Sequence, residues 1–242
     1  MKVIAFNSSP HLERSATNRV LVPFLDGMET AGAEVELSYL HRLEIRPCLG
    51  CLACWLKTPG RCAQQDDMAD ILPGVAESDI AVYATPLFVD GMNATMKNLL
   101  DRSIPLLQPW FVLEDSHCRH DRIEGYKNGK VALVSVCGFT ETDNFNPLVA
   151  HMVAACRNMR REFAGALLRP YANSLPELAK AGIDVDDVYA AAREAGTQLV
   201  QTGKMNSDTL DRVSRQLIPR DRYIRAVNIH FRQAIRRNLG KA

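Results

Sequence analysis

The sequence lacks any run of eighteen apolar residues, so nothing in it predicts a membrane-spanning helix. The apolar run within residues 1–7 is too short, and ends too soon in a polar residue, to be the apolar core of a signal peptide. It also has almost no net charge, since 29 Lys and Arg side chains face 28 Asp and Glu side chains. A near-neutral chain has no broad attraction for nucleic acid. We therefore expect a cytoplasmic protein that binds neither a membrane nor nucleic acid.

Two nucleotide-binding motifs are missing as well, G-x-G-x-x-G and G-x-x-x-x-G-K-[ST], so a dinucleotide fingerprint and a P-loop are both unsupported. Basic charge is concentrated only near the end of the chain, where residues 212–241 contain eight arginines and Lys241 against the single acidic residue Asp221. Aromatic side chains are sparse there, which favours a solvated helical face or an oligomer contact over a nucleic-acid surface.

Short apolar runs alternate with longer amphipathic stretches. The runs predict strands at residues 3–6, 35–40, 80–84, 131–137 and 165–170. The amphipathic stretches predict helices at residues 17–31, 67–76, 94–101, 147–163 and 186–202. This alternation predicts an α/β fold, a doubly wound five-stranded parallel sheet with helices on both faces. We expect one domain over residues 1–203, with a cysteine-containing insertion at 48–62, and a helical C-terminal extension over 204–242 that packs on the domain or on a neighbouring subunit.

Three segments that follow predicted strands are candidate binding loops, because ligands of such sheets bind outside the carboxyl ends of the strands. Residues 7–18 offer hydroxyls, an arginine and helix N-terminal amides, which suit a phosphate, or they are an ordinary capped helix start. Residues 85–92 offer Phe88 to a flat ring, or form a hydrophobic turn. At residues 137–140, Gly138 permits close backbone approach, or the segment is a structural turn.

Four of the seven cysteines are clustered, at Cys48, Cys51, Cys54 and Cys62. In a reducing cytosol such a cluster indicates metal ligands or redox thiols rather than disulfides. Three cysteines at two-residue separations and a fourth from a short loop can surround a 4Fe-4S cubane, whereas structural zinc more often uses two separated knuckles. An iron-sulfur cluster, bare thiols and zinc stay open as alternatives. The other three cysteines, Cys118, Cys137 and Cys156, are expected to be buried or semi-buried.

Residues 109–120 contain an aromatic pair, two histidines and an arginine in an insertion before the fourth predicted strand. Such a loop either covers a bound ligand or is a polar surface excursion, and the second interpretation is favoured slightly.

Taken together, these segments resemble the flavodoxin-like NADPH-dependent FMN reductase family, and particularly its iron-sulfur flavoprotein branch, over most of residues 1–165. Ser8 replaces the usual glycine of the first loop and His11 its usual basic residue, so Arg14 is expected to serve instead. The resemblance implies three groups of FMN-binding residues and one group of cluster ligands. These are Ser9, Arg14, Ser15, Thr17 and Asn18 at the phosphate; Pro86, Leu87, Phe88 and Gly91 along the isoalloxazine ring; Cys137, Gly138 and Phe139 over its other side; and Cys48, Cys51, Cys54 and Cys62 at the metal.

The resemblance also implies a function, an FMN-dependent oxidoreductase. Electrons would come from NAD(P)H or a ferredoxin-like protein donor and pass to a small-molecule acceptor such as a quinone or nitro compound, in a homodimer or homotetramer. No catalytic acid or base is assigned, since the redox chemistry belongs to the cofactor. Two alternatives remain: an electron carrier without a substrate of its own, and a zinc-stabilised interaction module that binds no flavin.

Overall fold

The computed structural model describes residues 1–239, and its centre is a five-stranded parallel sheet, as predicted. The strands, in spatial order, are β2 (Glu34–Tyr39), β1 (Lys2–Asn7), β3 (Ile80–Phe88), β7 (Lys130–Val136) and β8 (Glu162–Arg169). All four pairings among them are parallel. A two-residue strand, β4 (Gly91–Met92), pairs antiparallel with the end of β3. The order is that of the flavodoxin-like fold, in which ligands bind where the order reverses beside β1 and β3.

Helices cover both faces of this sheet. They are α1 (Ala16–Thr30), α2 (Ala53–Leu56), α3 (Met68–Glu77), α4 (Ala94–Asp101), α5 (Asn146–Asn158), α6 (Leu175–Lys180), α7 (Asp186–Thr202), α8 (Ser207–Ser214) and α9 (Arg220–Leu239). One apolar cluster joins α1, α7 and α8 to one face, and a second joins α3, α4 and α5 to the other. Within β1, Val3 and Ala5 belong to the first cluster and Ile4 and Phe6 to the second. Burial on both faces is why the three central strands, β1, β3 and β7, read as nearly unbroken apolar runs.

The predicted helix over residues 147–163 is wrong at its end, because α5 stops at Asn158 and β8 begins at Glu162. Arg160 turns the chain with a φ of 57°. The next residue, Arg161, is buried and donates hydrogen bonds to the carbonyl oxygens of Val75 and Ser78. Anchoring this guanidinium beneath the sheet requires the chain to leave the helix early. The predicted strand at 165–170 therefore starts three residues sooner, at Glu162.

The insertion at residues 109–120 forms a β-hairpin that the sequence did not predict. Its strands are β5 (Leu107–Glu114) and β6 (His117–Arg122), joined at Asp115 and Ser116, whose φ angles are 46° and 63°. Two successive positive φ values are typical of a tight two-residue hairpin turn. Aspartate followed by serine lacks the glycine that usually marks such a turn, which is why the signal was missed.

The C-terminal part is helical, as expected from residue 204 onward. Val213 of α8 belongs to the core cluster beneath α7, whereas α9 is largely exposed apart from Tyr223. Residues 240–242, including Lys241 of the basic segment, lie outside the described residues. Among residues 1–239, no helix combines the length and the apolar character that crossing a bilayer requires.

Candidate functional site

The three candidate loops meet at one cavity of about 260 Å³ at the carboxyl ends of β1, β3 and β7. Its lining comes from all three loops and from the segment after β8. The lining residues are Ser9, Pro10, His11, Ala16, Thr17, Pro86, Leu87, Phe88, Val136, Cys137, Gly138 and Asn173. Folding thus brings together residues far apart in sequence at the position where a sheet of this order binds its ligand.

The first loop is rigidly capped onto α1. Ser15 is the N-cap residue: its hydroxyl accepts a hydrogen bond from the Asn18 amide at 2.9 Å and donates one to the Leu12 carbonyl at 2.7 Å. The Ser9 amide donates to the side-chain oxygen of Asn7 at 2.9 Å. These bonds fix the backbone that borders the cavity before any ligand arrives.

The side chain of Asn18 supports this loop through three hydrogen bonds. Its Oδ1 accepts from Asn7 Nδ2 at 3.1 Å and from the Tyr39 hydroxyl at 3.0 Å, and its Nδ2 donates to the Glu13 carbonyl at 3.1 Å. With these groups engaged, Asn18 supports the loop and does not line the cavity. Arg14, the expected substitute cation, is exposed and also lies outside the lining, whereas His11 is part of it.

Thr17 carries the clearest sign of a missing partner. It lies in the first turn of α1, is 1% exposed, and its buried Oγ1 has no hydrogen-bond partner. An unpaired buried hydroxyl costs about 1–3 kcal/mol. The first amides of a helix also lack intrahelical acceptors, and its positive dipole end favours an anion. The residues present therefore fit the phosphate of a bound mononucleotide.

Two aromatic side chains stand exposed beside the cavity. Phe88 is 51% and Phe139 is 61% exposed, which leaves apolar surface that a flat ring would cover. Phe88 is held at the β3–β4 turn, where it pairs with Gly91 and where Val89 and Asp90 have positive φ angles. Gly91 itself is not part of the lining.

The third loop combines a neutral thiol with open space. Burial raises the pKa of the Cys137 thiol, so it stays protonated at neutral pH. A Cβ added to Gly138 would meet no atom within 4 Å, so the backbone faces open space there. The Gly138 carbonyl accepts a hydrogen bond from Tyr223 of α9 at 2.7 Å. Sequence reasoning missed Tyr223 and Asn173; the strand-end rule, applied after the fifth strand, would have pointed to Asn173.

The clustered cysteines form a second candidate site at the other end of α4. All four of them, Cys48, Cys51, Cys54 and Cys62, line a small cavity of about 30 Å³ together with Asp101 and Arg102. At the start of α4, by contrast, Asn93 donates to the Ser8 carbonyl in the first loop. The eight residues of α4, about 12 Å along the helix axis, lie between these two contacts.

The four thiols around one cavity supply the donor set of an iron-sulfur cluster. Within residues 1–239, no three His, Cys, Asp or Glu side chains are arranged to hold one metal ion. Structural zinc takes four ligands around one ion, and an iron-sulfur cluster takes cysteine thiolates around several iron and sulfide atoms. Burial, and the neighbouring Cys62, Cys48 and Cys51, raise the pKa of Cys54. Positive metal charge would offset this penalty.

The hairpin packs on the cysteine segment and not over the 260 Å³ cavity, whose lining contains none of its residues. Trp55 donates from Nε1 to the Leu107 carbonyl at 2.8 Å. The centre of the His120 ring lies 4.6 Å from the centre of the Trp55 ring and 5.0 Å from the centre of the Phe111 ring. Cys118 on β6 is exposed, contrary to expectation, because it lies next to the hairpin turn, beyond the residues that pack on Trp55. Cys137 and Cys156 are buried, as expected.

Comparison with known proteins agrees with this architecture. The model of the NADPH-dependent FMN reductase family matches residues 1–139. An iron-sulfur flavoprotein from Methanocaldococcus jannaschii is 37% identical over 106 residues, which cover 44% of this chain and 53% of that protein. One from Archaeoglobus fulgidus is 37% identical over 103 residues, 43% of this chain and 49% of that protein. The chain thus spans about half the length of the curated relatives it matches.

Solved structures show the same fold at low identity. An FMN-dependent NADH-azoreductase from Bacillus anthracis, in complex with FMN, aligns with a TM-score of 0.61 and 13% identity, covering 83% of this chain and 100% of that one. A putative quinone reductase from Klebsiella pneumoniae aligns with a TM-score of 0.62 and 18% identity, covering 85% of this chain and 86% of that one.

Proposed function

Because the chain belongs to the NADPH-dependent FMN reductase family, we propose that this flavin oxidoreductase takes electrons from NAD(P)H or a protein donor and passes them to a small acceptor. The observation that carries the proposal is the unpaired, buried Thr17 hydroxyl at the positive end of α1, in a cavity where three strand-end loops meet. Bound FMN supplies the hydride and single-electron chemistry.

The chain's own residues bind and orient the cofactor in this proposal. Thr17, Ser9 and the first-turn amides of α1 hold the phosphate, with Ser15 and Asn18 keeping that turn in place. Pro86, Leu87 and Phe88 would border one side of the ring, and Cys137 and Gly138, with the exposed Phe139 beside them, would border the other. We assign residues 1–203 to this flavin-binding unit and residues 204–242 to an extension that braces it through Tyr223.

We propose further that Cys48, Cys51, Cys54 and Cys62 hold a 4Fe-4S cluster and that the protein is a homo-oligomer. Two findings support the cluster: the four thiols share one cavity, and curated relatives are named iron-sulfur flavoproteins. Trp110, Phe111 and Leu113 of the hairpin are exposed apolar side chains. They support an oligomer, because a contact with a second copy would remove this apolar surface from water.

Anaerobic purification followed by flavin, iron, sulfide and zinc analysis tests both parts. We expect FMN, and about four irons per chain as in a cubane. Absence of flavin after reconstitution would refute the oxidoreductase, and flavin without iron would refute the cluster alone. Flavin that free NAD(P)H fails to reduce would restrict the donor to a protein.

A matched pair of variants tests the phosphate site. Thr17→Val replaces the hydroxyl with a methyl group of similar size. It should weaken FMN binding about tenfold, since one hydrogen bond to a charged group contributes about 1.5 kcal/mol. Thr30→Val removes an exposed hydroxyl at the other end of α1, which bonds to the Asp26 carbonyl, and should leave FMN binding unchanged. Equal FMN affinity in both variants would show that Thr17 does not contact the phosphate.

A further inference from the structure

Arg102, directly after α4, is buried beneath the cysteine segment. It is 1% exposed and lines the cavity that the four cysteines share. Its guanidinium forms a two-point ion pair with Asp66, with Nη1 to Oδ2 at 2.7 Å and Nη2 to Oδ1 at 2.8 Å. The Asp66 side chain is fully buried as well. Because taking two charges out of water costs several kcal/mol per ion, a buried pair is weak evidence for stability alone.

The ion pair closes the cysteine segment at its base. Asp66 Oδ2 accepts from the Arg46 amide at 3.0 Å and Asp66 Oδ1 from the Met68 amide at 3.2 Å. Arg102 Nη1 donates to the Arg46 carbonyl at 2.7 Å. The residues just before and just after the cysteines are thus tied to each other and to the end of α4, which gives the segment a fixed base.

One donor of this guanidinium is left over. Arg102 Nε is buried and makes no hydrogen bond, although both Nη atoms are engaged. Among the four clustered cysteines, Cys62 is the one whose sulfur neighbours this guanidinium, and both residues line the same cavity. A buried, always charged group with an unused N–H therefore lies within reach of Cys62.

We propose that Arg102 is a positioning residue for the cysteine site, which donates Nε–H to the Cys62 sulfur once Cys62 is a metal-bound thiolate. This inference rests on the proposed cluster. Thiolate is a far better acceptor than thiol, so an unpaired buried donor beside Cys62 fits a metal-bound sulfur. A hydrogen bond and a positive charge at one ligand sulfur favour the reduced cluster, so Arg102 raises the reduction potential.

The test compares three variants with the wild-type protein after anaerobic reconstitution with iron and sulfide. Arg102→Lys keeps the charge but removes the Nε donor, and Arg102→Gln removes both. Arg212→Gln is the control, because Arg212 is an exposed cation of α8, on the other face of the sheet, that pairs with the exposed Glu194. We expect both Arg102 variants to release iron to a chelator about 10- to 100-fold faster, as for other partners of metal ligands, and to have a more negative midpoint potential. Wild-type values in Arg102→Lys would overturn the proposal.

A second measurement avoids dependence on variants that fail to fold. In the ¹⁵N-labelled, metal-free protein, the Arg102 Nε–H resonance should shift in Cys62→Ser and stay in place in Cys51→Ser. This shift reports that the Cys62 side chain lies beside Nε–H, since the hydrogen bond itself forms only on the metal-bound thiolate; no shift in Cys62→Ser would therefore overturn the proposal. Wild-type protein that takes up no iron while this shift occurs would refute the cluster, and with it the effect on potential, but not the Arg102–Cys62 contact. The two failures are therefore distinguishable.

Discussion

Gly27 of α1 and Gly196 of α7 let these two helices pack with their backbones in contact, and Gly27→Ala should be strongly destabilising. A methyl group on Gly27 would lie 1.9 Å from the Arg193 carbonyl oxygen, and one on Gly196 would lie 1.9 Å from that of Phe24. Real Cβ atoms essentially never approach within 3.0 Å, so the facing backbone must move by about 1 Å. A helix backbone cannot yield as the end of a side chain can.

The magnitude follows from three contributions. Alanine is favoured over glycine in a helix interior by about 1 kcal/mol. Overpacking costs about 1–3 kcal/mol, and displacing the Gly27 carbonyl weakens its 3.0 Å hydrogen bond from Thr197, worth about 1 kcal/mol. The net loss is about 1–3 kcal/mol. In a chain of this size that lowers Tm by about 2–12 °C.

Gly74→Ala in α3 is the matched control, because its added methyl would meet only the end of the Ile4 side chain, at 2.9 Å. Thermal and urea denaturation of both variants, with and without FMN, measures the difference. We expect Gly74→Ala to match or exceed the wild type in stability. Stability in Gly27→Ala equal to that in Gly74→Ala would refute the argument from close helix packing.

Three further outcomes are expected. Tyr223→Phe removes the 2.7 Å bond to the Gly138 carbonyl, worth about 1 kcal/mol, and should speed FMN release severalfold in a fluorescence assay; an unchanged rate would show that α9 does not hold the third loop. Burial raises the pKa of Cys156 to about 12, so at pH 8 a thiol reagent should modify exposed Cys118 and spare Cys156 until the protein unfolds, as mass spectrometry would show. Hydrogen bonds from the Lys2 amide and then Lys127 hold the pKa of Asp79 below its usual value of about 4, so the stability from Asp79 is present above that pH and lost as pH falls through the folded pKa. Tm should therefore fall less steeply between about pH 5 and 3 in Asp79→Asn than in the wild type.

The parallel sheet could be predicted because its central strands, β1, β3 and β7, are buried on both faces and therefore read as nearly uninterrupted apolar runs. The end of α5 could not, since what stops the helix is Arg161 reaching Val75 and Ser78, residues more than eighty positions earlier. The hairpin at residues 107–122 could not be predicted for a local reason, because its turn residues include no glycine.

The cavity, too, could be predicted only in part. The loops after β1, β3 and β7 could be located from sequence because the carboxyl ends of parallel strands share one edge of the sheet. The separate roles of Thr17 and Asn18 could not be predicted, because the two residues are adjacent and both polar. The Thr17 hydroxyl is unpaired, whereas the Asn18 side chain is hydrogen-bonded within the loop. Tyr223 reaches the third loop from a helix that sequence patterns place only as an extension.

Helix α4 makes the two candidate sites structurally separate. Its N-cap residue, Asn93, holds the first loop through the Ser8 carbonyl, and the residue after its end, Arg102, holds the cysteine segment through Asp66. Because each end of α4 is held by hydrogen bonds of its own, each site has a separate support. Changes at Thr17 or Tyr223 should therefore alter flavin binding without loss of iron. Changes at Arg102 should alter iron retention without loss of flavin, and a variant that lost both would point to damage in α4 itself.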